Sequence, residues 1–543
     1  MSAAPVLDIR GLQISLPARG DRHYAVDGLD LSVHRDQVVC LVGESGSGKT
    51  LTGRAVLGLL PGPHVRAVAG EIHFDGENLL AVSQRRLREV RGARISMVFQ
   101  EPMTALNPLM SIGAQIDELV RIHTDLPAVE RRARAARILD DVGLPDPTGM
   151  LGAYPHELSG GQRQRAMIAM ALILEPEVII ADEPTTALDV TTQAQILRLI
   201  KDLQATHHTG VLYITHDFGV VAEIADHVVV MQTGKQVESG ETEQVLNRPR
   251  HTYTRALIKA VPSLVPTRRV PSDQAGTAME TRMLNKTFRS GGGLFGVGSR
   301  TVHAVKDVSL RLSRGETLGV VGESGSGKST LARLIVRILD ADSGKVMVDG
   351  TEVSSLSRRH LRPMRKRVQM VFQDPYGSLN PRYRIGRLIA EGMIVHGASR
   401  KAAEMRTAEL LELVGLDPGV VGRFPHEFSG GQRQRIGLAR ALALDPDILV
   451  ADEPVSALDV SVQAQVLDLL ANIRERLRLS MLFITHDLRV AAQVCDNIAV
   501  MYKGEVVEHG QTATLFAEPQ HAYTQELLNA VPGRHWVAPR LDD

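Results

Sequence analysis

The sequence predicts an α/β protein built from two copies of one domain, and two observations lead to this fold class. The pattern G-x-x-x-x-G-K-[ST] occurs at Gly43–Thr50 and again at Gly322–Ser329. Each match follows a short apolar run, Val38–Val42 or Thr317–Val321, that is typical of a buried parallel strand, and precedes an apolar-periodic helix. The motifs further along the chain also recur in the same order, which indicates a duplicated domain.

The repeated pattern is typical of a phosphate-binding loop, in which glycines let backbone N–H groups point at phosphate oxygens. The lysine adds positive charge for the β- and γ-phosphates, and the following hydroxyl is placed to hold Mg²⁺. A glycine-rich turn with an incidental lysine is the alternative for one match, but two matches in the same setting make it negligible. The predicted nucleotide-binding residues are Gly43, Ser45, Gly46, Ser47, Gly48, Lys49 and Thr50, with Gly322, Ser324, Gly325, Ser326, Gly327, Lys328 and Ser329.

Length and composition predict a soluble protein of at least two domains. The chain has 543 residues, with 43% hydrophobic and 23% charged residues. Lys+Arg and Asp+Glu both total 62, so the charge gives no sign of a nucleic-acid partner. We expect no signal peptide, and no apolar run approaches the roughly 18 residues of a membrane span. Cys40 and Cys495 are too few for a disulfide framework or a Cys-rich metal site, which fits a reducing cytoplasm.

The order of elements is the same in the two copies. Alternating segments such as Val6–Leu16 predict an antiparallel β-subdomain. A helical stretch that includes Ala128–Leu139 then interrupts the alternation of strands and helices. The alternation resumes with strand Val178–Ile180, helix Thr191–Gln204 and strand Val211–Ile214. We therefore expect a mixed α/β core with an inserted helical subdomain in each copy. The predicted boundaries are 1–262 for the first domain, 263–280 for a flexible linker, 281–533 for the second domain and 534–543 for a tail.

A second repeated motif is an apolar strand that ends in Asp-Glu, at Asp182-Glu183 and Asp452-Glu453. An aspartate at the end of such a strand lies beside the phosphate loop, where it can hold Mg²⁺ through water. The glutamate that follows can orient or deprotonate an attacking water. Solvated acids at a strand end would explain one such motif alone, but they become improbable beside an upstream phosphate loop.

Ser-Gly-Gly-Gln opens a predicted helix in each copy, at Ser159–Gln162 and Ser429–Gln432. Serine before two glycines indicates either a phosphate-binding helix N-terminus or a simple N-cap. A cap explains each motif locally but does not explain its recurrence beside the other motifs. Ile-Thr-His-Asp, which contains His216 or His486, likewise follows a predicted strand in both copies.

Together these motifs resemble those of tandem ATP-binding-cassette ATPases over nearly the whole chain. The resemblance implies two P-loop ATP-binding-cassette domains, each with a RecA-like mixed α/β core, an antiparallel β-subdomain and an inserted helical subdomain, and it implies ATP and Mg²⁺ as ligands. The resemblance implies further ATP-binding residues beyond those of the phosphate loops. These are the Q-loop residues Gln100 and Gln373 and the signature-loop residues Ser159, Gly160, Gly161, Gln162, Ser429, Gly430, Gly431 and Gln432. The implied catalytic residues are Glu183, His216, Glu453 and His486. The implied D-loops are residues 187–189 and 457–459, which contain Asp189 and Asp459. The implied metal-associated residues are Thr50, Gln100, Asp182, Ser329, Gln373 and Asp452.

The resemblance also implies that the two halves pair head to tail within the chain. One ATP would lie between the phosphate loop of one half and the signature loop of the other. Lys49 would share a nucleotide with Ser429, and Lys328 would share one with Ser159.

Adenine stacking in this family usually uses an aromatic residue upstream of the phosphate loop. Phe288 matches that position in the second copy. Leu16 stands there in the first copy, and Tyr24 is the nearby substitute.

The segment after each core is similar to the C-terminal element of ATPases that serve bacterial oligopeptide and dipeptide importers. These importer elements, His251–Pro262 and His521–Pro532, begin His-Thr-Tyr and His-Ala-Tyr where the family usually has His-Pro-Tyr. The segments 100–108 and 373–381 after the Q-loop glutamines resemble the same family. Many relatives carry a cysteine cluster near this element that is suited to an iron–sulfur centre. This chain cannot supply the thiolates, so we expect no iron–sulfur cluster.

The function implied is that of an ATP-hydrolysing motor subunit for import of di- or oligopeptides. Its partners would be two membrane permease subunits and, through them, an extracytoplasmic substrate-binding protein. Its location would be the cytoplasmic face of the bacterial inner membrane. Glutathione or nickel as the solute remains an alternative. A soluble tandem-cassette ATPase acting on ribosomes is another, but such proteins typically have a long charged linker and basic surface, and this chain has neither. The importer elements disfavour a drug-export motor.

Overall fold

The computed structural model describes residues 4–17, 22–185, 188–267, 276–290, 300–456 and 458–539. The chain divides into two compact units. Unit 1 comprises Met1–Val261 together with Pro532–Asp543, and unit 2 comprises Pro262–Val531. Over the described ranges, we find no helix with the length and apolar character that crossing a membrane requires.

Strands and helices alternate through unit 1. Its strands are β1 Leu7–Ser15, β2 Tyr24–Val33, β3 Val38–Val42, β4 Ala67–Phe74, β5 Glu77–Asn78, β6 Ile95–Val98, β7 Val178–Asp182, β8 Gly210–Thr215, β9 His227–Gln232 and β10 Lys235–Glu241. Its helices are α1 Lys49–Val56, α2 Gln84–Val90, α3 Pro102–Ala105, α4 Ile112–His123, α5 Ala128–Asp141, α6 Pro147–Met150, α7 Gly160–Leu172, α8 Val190–His207, α9 Phe218–Ile224, α10 Thr242–Asn247 and α11 Thr252–Lys259.

Two sheets form the frame of unit 1. A six-stranded sheet has the order β10-β9-β3-β8-β7-β6, parallel from β9 to β6, and a four-stranded antiparallel sheet has the order β2-β1-β4-β5. Strand β3 is buried along its whole length. Cys40 faces the core cluster that contains helices α4, α5 and α7, whereas Leu41 faces the cluster formed with the antiparallel sheet. Burial on both faces explains why this strand is a continuous apolar run.

Unit 2 repeats this order of elements. Its strands are β11 Thr277–Ser290, β12 Arg300–Ser313, β13 Thr317–Val321, β14 Ser343–Val348, β15 Thr351–Glu352, β16 Val368–Val371, β17 Ile448–Asp452, β18 Ser480–Ile484, β19 Asn497–Tyr502 and β20 Glu505–Gln511. Its helices are α12 Lys328–Ile335, α13 Arg358–Arg367, α14 Pro375–Ser378, α15 Ile385–Val395, α16 Arg400–Leu413, α17 Gly430–Leu442, α18 Val460–Leu477, α19 Leu488–Val494, α20 Thr512–Ala517 and α21 Ala522–Asn529.

The sheets of unit 2 match those of unit 1. Their orders are β16-β17-β18-β13-β19-β20 and β12-β11-β14-β15. In both units a group of helices, α3–α7 or α14–α17, is inserted between two neighbouring strands of the six-stranded sheet. The predicted α/β class, with an antiparallel sheet and a helical insertion in each copy, is confirmed.

The end of each importer element marks a change of unit. Residues 532–539, which the sequence assigns to the end of the second domain and a tail, lie in unit 1. Residues 263–267, from the predicted linker, lie in unit 2, and β11 already begins at Thr277. The rest of that linker, residues 268–275, lies outside the described residues, as do 540–543.

Candidate functional site

Each phosphate loop connects the end of a central strand to the start of a helix. In unit 1, β3 ends at Val42 and α1 begins at Lys49. Gly48, the residue before the helix, has φ 106°, and a Cβ there would collide with the carbonyl oxygen of Ala25. Only glycine fits both conditions, which explains the glycine of the motif at this position.

The lysine and the hydroxyl of the loop point in different directions in unit 1. Lys49 is 5% exposed, and its Nζ donates to the carbonyl oxygens of Gly43 and Glu44 at 2.7 and 3.0 Å. Thr50 Oγ1 donates to Asp182 Oδ1 at 3.0 Å. The carbonyl oxygens of the loop therefore bind the ammonium group of Lys49, while the hydroxyl of Thr50 is hydrogen-bonded to the aspartate at the end of β7.

Unit 2 has the same arrangement. Lys328 Nζ donates to the carbonyl oxygens of Gly322 and Glu323, both at 2.7 Å. Ser329 Oγ donates to Asp452 Oδ1 at 3.0 Å. The predicted residues of each loop and of each strand end are thus brought together within their own unit.

The glutamate after each strand is held from two sides. Gln100 Nε2 donates to Glu183 Oε2 at 2.9 Å, and His216 Nδ1 lies 3.1 Å from Glu183 Oε1. In unit 2, Gln373 Nε2 donates to Glu453 Oε2 at 2.7 Å, and His486 Nδ1 lies 3.1 Å from Glu453 Oε1. The structure therefore joins the Q-loop, the strand end and the histidine through one carboxylate in each unit.

The backbone of both glutamates is strained. Glu183 has φ 46° and Glu453 has φ 47°, in the left-handed region that non-glycine residues rarely occupy. Such a residue costs on the order of 1–3 kcal/mol and persists only where its surroundings hold it. The backbone N–H of Glu183 donates to Ile214 of β8 at 3.0 Å, and that of Glu453 donates to Ile484 of β18 at 2.9 Å.

Burial and hydrogen bonding set the protonation of these acids. Asp182 and Asp452 are 1% and 2% exposed, and burial raises the pKa of each carboxyl although a loop hydroxyl donates to it. A nearby cation would favour their charged form. Burial also opposes the charge of Glu453, but the hydrogen bond and charge of His486 outweigh it and lower the pKa of Glu453. The same contact raises the pKa of His486 against the effect of its burial.

The signature motifs lie apart from these clusters, at the start of α7 and α17. Ser159 Oγ accepts from Gln162 N at 3.3 Å while Gln162 Oε1 accepts from Ser159 N at 2.9 Å, and unit 2 has the same capping box. Ser159 and Ser429 are exposed. The N-cap interpretation is therefore what each unit shows by itself.

The D-loop aspartates are also at helix starts. Asp189 caps α8, where its Oδ1 accepts from Thr192 N at 2.9 Å, and Asp459 precedes α18. Ala187 and Ala457 lie outside the described residues.

Candidate aromatic residues for the adenine are on the antiparallel sheets. Phe288 lies on β11 and is 41% exposed. Tyr24, on β2, is 38% exposed and pairs with Ser15 across the sheet, so it lies next to the position of Leu16.

Two tyrosines of the importer elements contact the phosphate loops, a role that the sequence did not predict. The backbone N–H of Glu44 donates to Tyr253 Oη at 3.3 Å, and that of Glu323 donates to Tyr523 Oη at 3.0 Å. The preceding histidine caps the helix, since His251 Nδ1 accepts from Tyr253 N at 3.2 Å. The recurrence of His-x-Tyr at equivalent positions was the available signal, but it does not reveal the contact partner.

Family models match both halves of the chain. The model of the ABC transporter matches residues 26–186 and 305–456. The model of the oligopeptide/dipeptide transporter C-terminal region matches residues 237–290 and 507–538. The second model covers both importer elements, in agreement with the resemblance of those segments.

Curated relatives match almost end to end. The chain is 48% identical over 530 residues to the peptidoglycan transport ATP-binding protein YejF of Agrobacterium fabrum, covering 97% of this chain and 96% of that protein. It is 45% identical over 563 residues to the glutathione import ATP-binding protein GsiA of Salmonella paratyphi A, covering 98% and 90%.

Among solved structures, the dimeric ATP-binding cassette MJ0796 bound to ADP and Pi covers 43% of this chain and 98% of its own. It is 29% identical, and the TM-score is 0.39. The family assignment rests on the two family models and the full-length relatives. The chain belongs to the ABC transporter family, as an ATP-binding protein of the group that carries the oligopeptide/dipeptide transporter C-terminal region.

Proposed function

We propose that this chain is the ATP-hydrolysing motor subunit that energises import of di- or oligopeptides through membrane permease subunits. One observation carries the proposal: in each unit the tyrosine of the importer element accepts a hydrogen bond from the phosphate loop. The segment that marks the transporter group is therefore part of the structure that holds the nucleotide loop. The names of the relatives support a peptidic solute, since one is a peptidoglycan transporter subunit and the other imports glutathione, a tripeptide.

The residues around each phosphate loop fit ATP bound with Mg²⁺. Ser47 Oγ is buried and has no hydrogen-bond partner among the described residues, so a loop polar atom is left to be satisfied by a phosphate. Lys49 Nζ already lies among loop carbonyls, where it can also reach the β- and γ-phosphates. Thr50 and Asp182 place a hydroxyl and a carboxylate oxygen together, and oxygens of this kind suit Mg²⁺. Bound there, Mg²⁺ supplies charge that neutralises the phosphates.

Glu183 and Glu453 are the general bases in this proposal. The lowered pKa of Glu453 favours its charged carboxylate, which can orient an attacking water. His486 and Gln373 hold the two oxygens of that carboxylate, so they fix its direction. His216 and Gln100 have the same contacts with Glu183. Gln100 and Gln373 donate to the glutamates through their amide nitrogens, so the amide oxygen of each is the atom that would bind Mg²⁺.

The signature loops complete the sites across the two halves in this proposal. Lys49 would act with Ser429 on one ATP, and Lys328 with Ser159 on the other. The exposure of both signature serines leaves them accessible for such a contact. Closure on ATP and opening after hydrolysis would convert phosphate chemistry into motion.

The transport partners are proposed from the same group. Two permease subunits would receive force at the segments after Gln100 and Gln373, and a binding protein outside the membrane would deliver the solute. The chain would work as a peripheral protein on the cytoplasmic face of the inner membrane. Glutathione is a second candidate solute, because several relatives at 45% identity are named glutathione import proteins.

The first prediction concerns partners and solute. Expressed with its own permease subunits, the chain should copurify with two of them, because each half offers one Q-loop segment. In proteoliposomes that contain the binding protein, dipeptides and tetrapeptides should stimulate ATP hydrolysis more than glutathione does. Stimulation by glutathione alone would select the second candidate. Full cellular activity of a monomer without any permease would contradict the importer function.

The second prediction is that both sites hydrolyse ATP. Glu183→Gln and Glu453→Gln should each preserve ATP binding and slow single-turnover hydrolysis, by about 10²–10⁴-fold at the altered site if a general base is lost. Coupling between sites would make one lesion nearly as severe as two. Glu130→Gln, on the exposed face of α5, is the matched control. If Glu453→Gln abolishes turnover while Glu183→Gln leaves the wild-type rate, the sites are not equivalent.

The third prediction concerns the importer tyrosines as positioning residues. Tyr253→Phe or Tyr523→Phe removes the acceptor of one loop N–H, which costs about 0.5–1.5 kcal/mol. The affinity of a fluorescent ATP analogue should fall by about 2- to 10-fold at that site, with KM rising more than kcat falls. Tyr154→Phe, at a half-exposed ring of the helical insertion, should change neither. Equal affinities for Tyr253→Phe and Tyr154→Phe would show that the contact has no role in nucleotide binding.

A further inference from the structure

Helices α9 and α19, which occupy equivalent positions in the two units, each bind a neighbouring segment of the chain. Helix α9 begins with the second residue after His216, and α19 begins with the second residue after His486. Asp217 caps α9 by accepting from two N–H groups of its first turn, and Asp487 caps α19 in the same way. Each helix therefore begins two residues after the histidine that contacts the glutamate of its own unit.

The segment received in unit 1 is residues 532–538, which follow α21 of unit 2 along the chain. Gly533 N donates to Glu223 Oε2 at 3.2 Å, at the C-terminal part of α9. The indole N–H of Trp536 donates to Asn247 Oδ1 of α10 at 3.0 Å. Trp536 and Ala538 also pack against the buried core cluster of unit 1. Polar and apolar contacts thus both attach this segment to unit 1.

Close backbone packing makes this contact specific. A Cβ on Gly219, in the first turn of α9, would lie 2.7 Å from the carbonyl oxygen of Pro532. A Cβ on Gly533 would lie 2.6 Å from the carbonyl oxygen of Gly219. Any larger residue at position 219 would therefore push the segment away from the helix.

The segment received in unit 2 is residues 262–267, which follow α11 of unit 1 along the chain. Gln493 Nε2 donates to the carbonyl oxygens of Ser263 and Val265, both at 2.8 Å. Thr267 N donates to the carbonyl oxygen of Ala492 at 3.1 Å, and Arg489 Nη1 donates to Pro262 O at 3.4 Å. Both helices are therefore docking sites, and each segment starts at the proline that ends an importer element.

We propose that these two docking segments, 262–267 and 532–538, are exchanged between the halves of the chain and hold the cassettes together without nucleotide. The chain leaves unit 1 after Val261 and leaves unit 2 after Val531, at equivalent ends of the two importer elements. The chain therefore passes from one unit to the other at the end of each importer element, and the two segments that follow are held by different side chains. A segment bound to one unit and covalently joined to the other keeps the units at high effective concentration.

This exchange goes beyond the proposed transport function and does not depend on it. None of the docking contacts named above uses a residue of a phosphate loop. We therefore expect the association to persist in EDTA without ATP. The docked helices α9 and α19 also follow His216 and His486 closely along the chain.

The experiment cuts the covalent link between the halves. A protease site placed within 268–275, between the docking segments and β11, is cleaved in the purified full chain. In EDTA without nucleotide, the two fragments should elute together from a sizing column at micromolar concentration. Gly219→Leu combined with Gln493→Ala disrupts both docking sites and should weaken the association by at least about tenfold. Gly510→Leu combined with Gln84→Ala is the matched control, because a Cβ at Gly510 meets no atom within 4 Å and Gln84 is exposed.

Fluorescence distinguishes undocking from unfolding. Trp536 is the only tryptophan of the chain, so its emission reports one docking site. Gly219→Leu in the uncut chain should shift this emission to longer wavelength while the far-ultraviolet circular dichroism stays unchanged. Separation of the wild-type fragments, or equal association of the disrupted and control variants, would overturn the proposal. An unchanged emission in Gly219→Leu would show that residues 532–538 do not dock on α9.

Discussion

The hydrogen bond from the loop hydroxyl to the aspartate at the neighbouring strand end is the contact on which each site depends. Thr50 Oγ1 and Asp182 Oδ1 are 3.0 Å apart, and Ser329 Oγ and Asp452 Oδ1 have the same separation. Because the aspartates are almost fully buried, the bond acts at low local dielectric, where it is stronger than in water. It joins the start of the phosphate-loop helix to a strand whose next residue is the glutamate held by the Q-loop glutamine and the histidine.

Continuous apolar runs and recurring motifs made much of this arrangement predictable. Strands β3 and β13 have the bounds expected from Val38–Val42 and Thr317–Val321, because strands that are buried along their whole length read as short, almost continuous apolar runs. Each site motif was recognisable by its residue types. The meeting of Gln100 and His216 on one carboxylate was not, because it depends on the strand order β3-β8-β7-β6, which joins segments far apart in sequence.

The contacts of the importer elements and docking segments lay beyond sequence reasoning for a different physical reason. The phosphate loop offers Tyr253 a backbone N–H, and Gln493 binds backbone carbonyls of residues 263 and 265. Every residue except proline presents these same groups, so they leave no mark in the sequence. A Pro- and Ser-containing stretch therefore predicts a flexible linker equally well whether or not part of it docks.

If the two nucleotide sites of the chain are equivalent, each should bind one ATP, so the number of ATP molecules bound per chain can be measured to test this. In the Glu183→Gln/Glu453→Gln double variant, calorimetric titration with Mg·ATP should find two ATP per chain. Adding Lys49→Ala or Lys328→Ala should lower that number to one, because each lysine donates to carbonyl oxygens of the phosphate loop in its own unit and its loss should disable that loop. One ATP per chain in the double variant, or two after either lysine is removed, would show that the two sites are not equivalent.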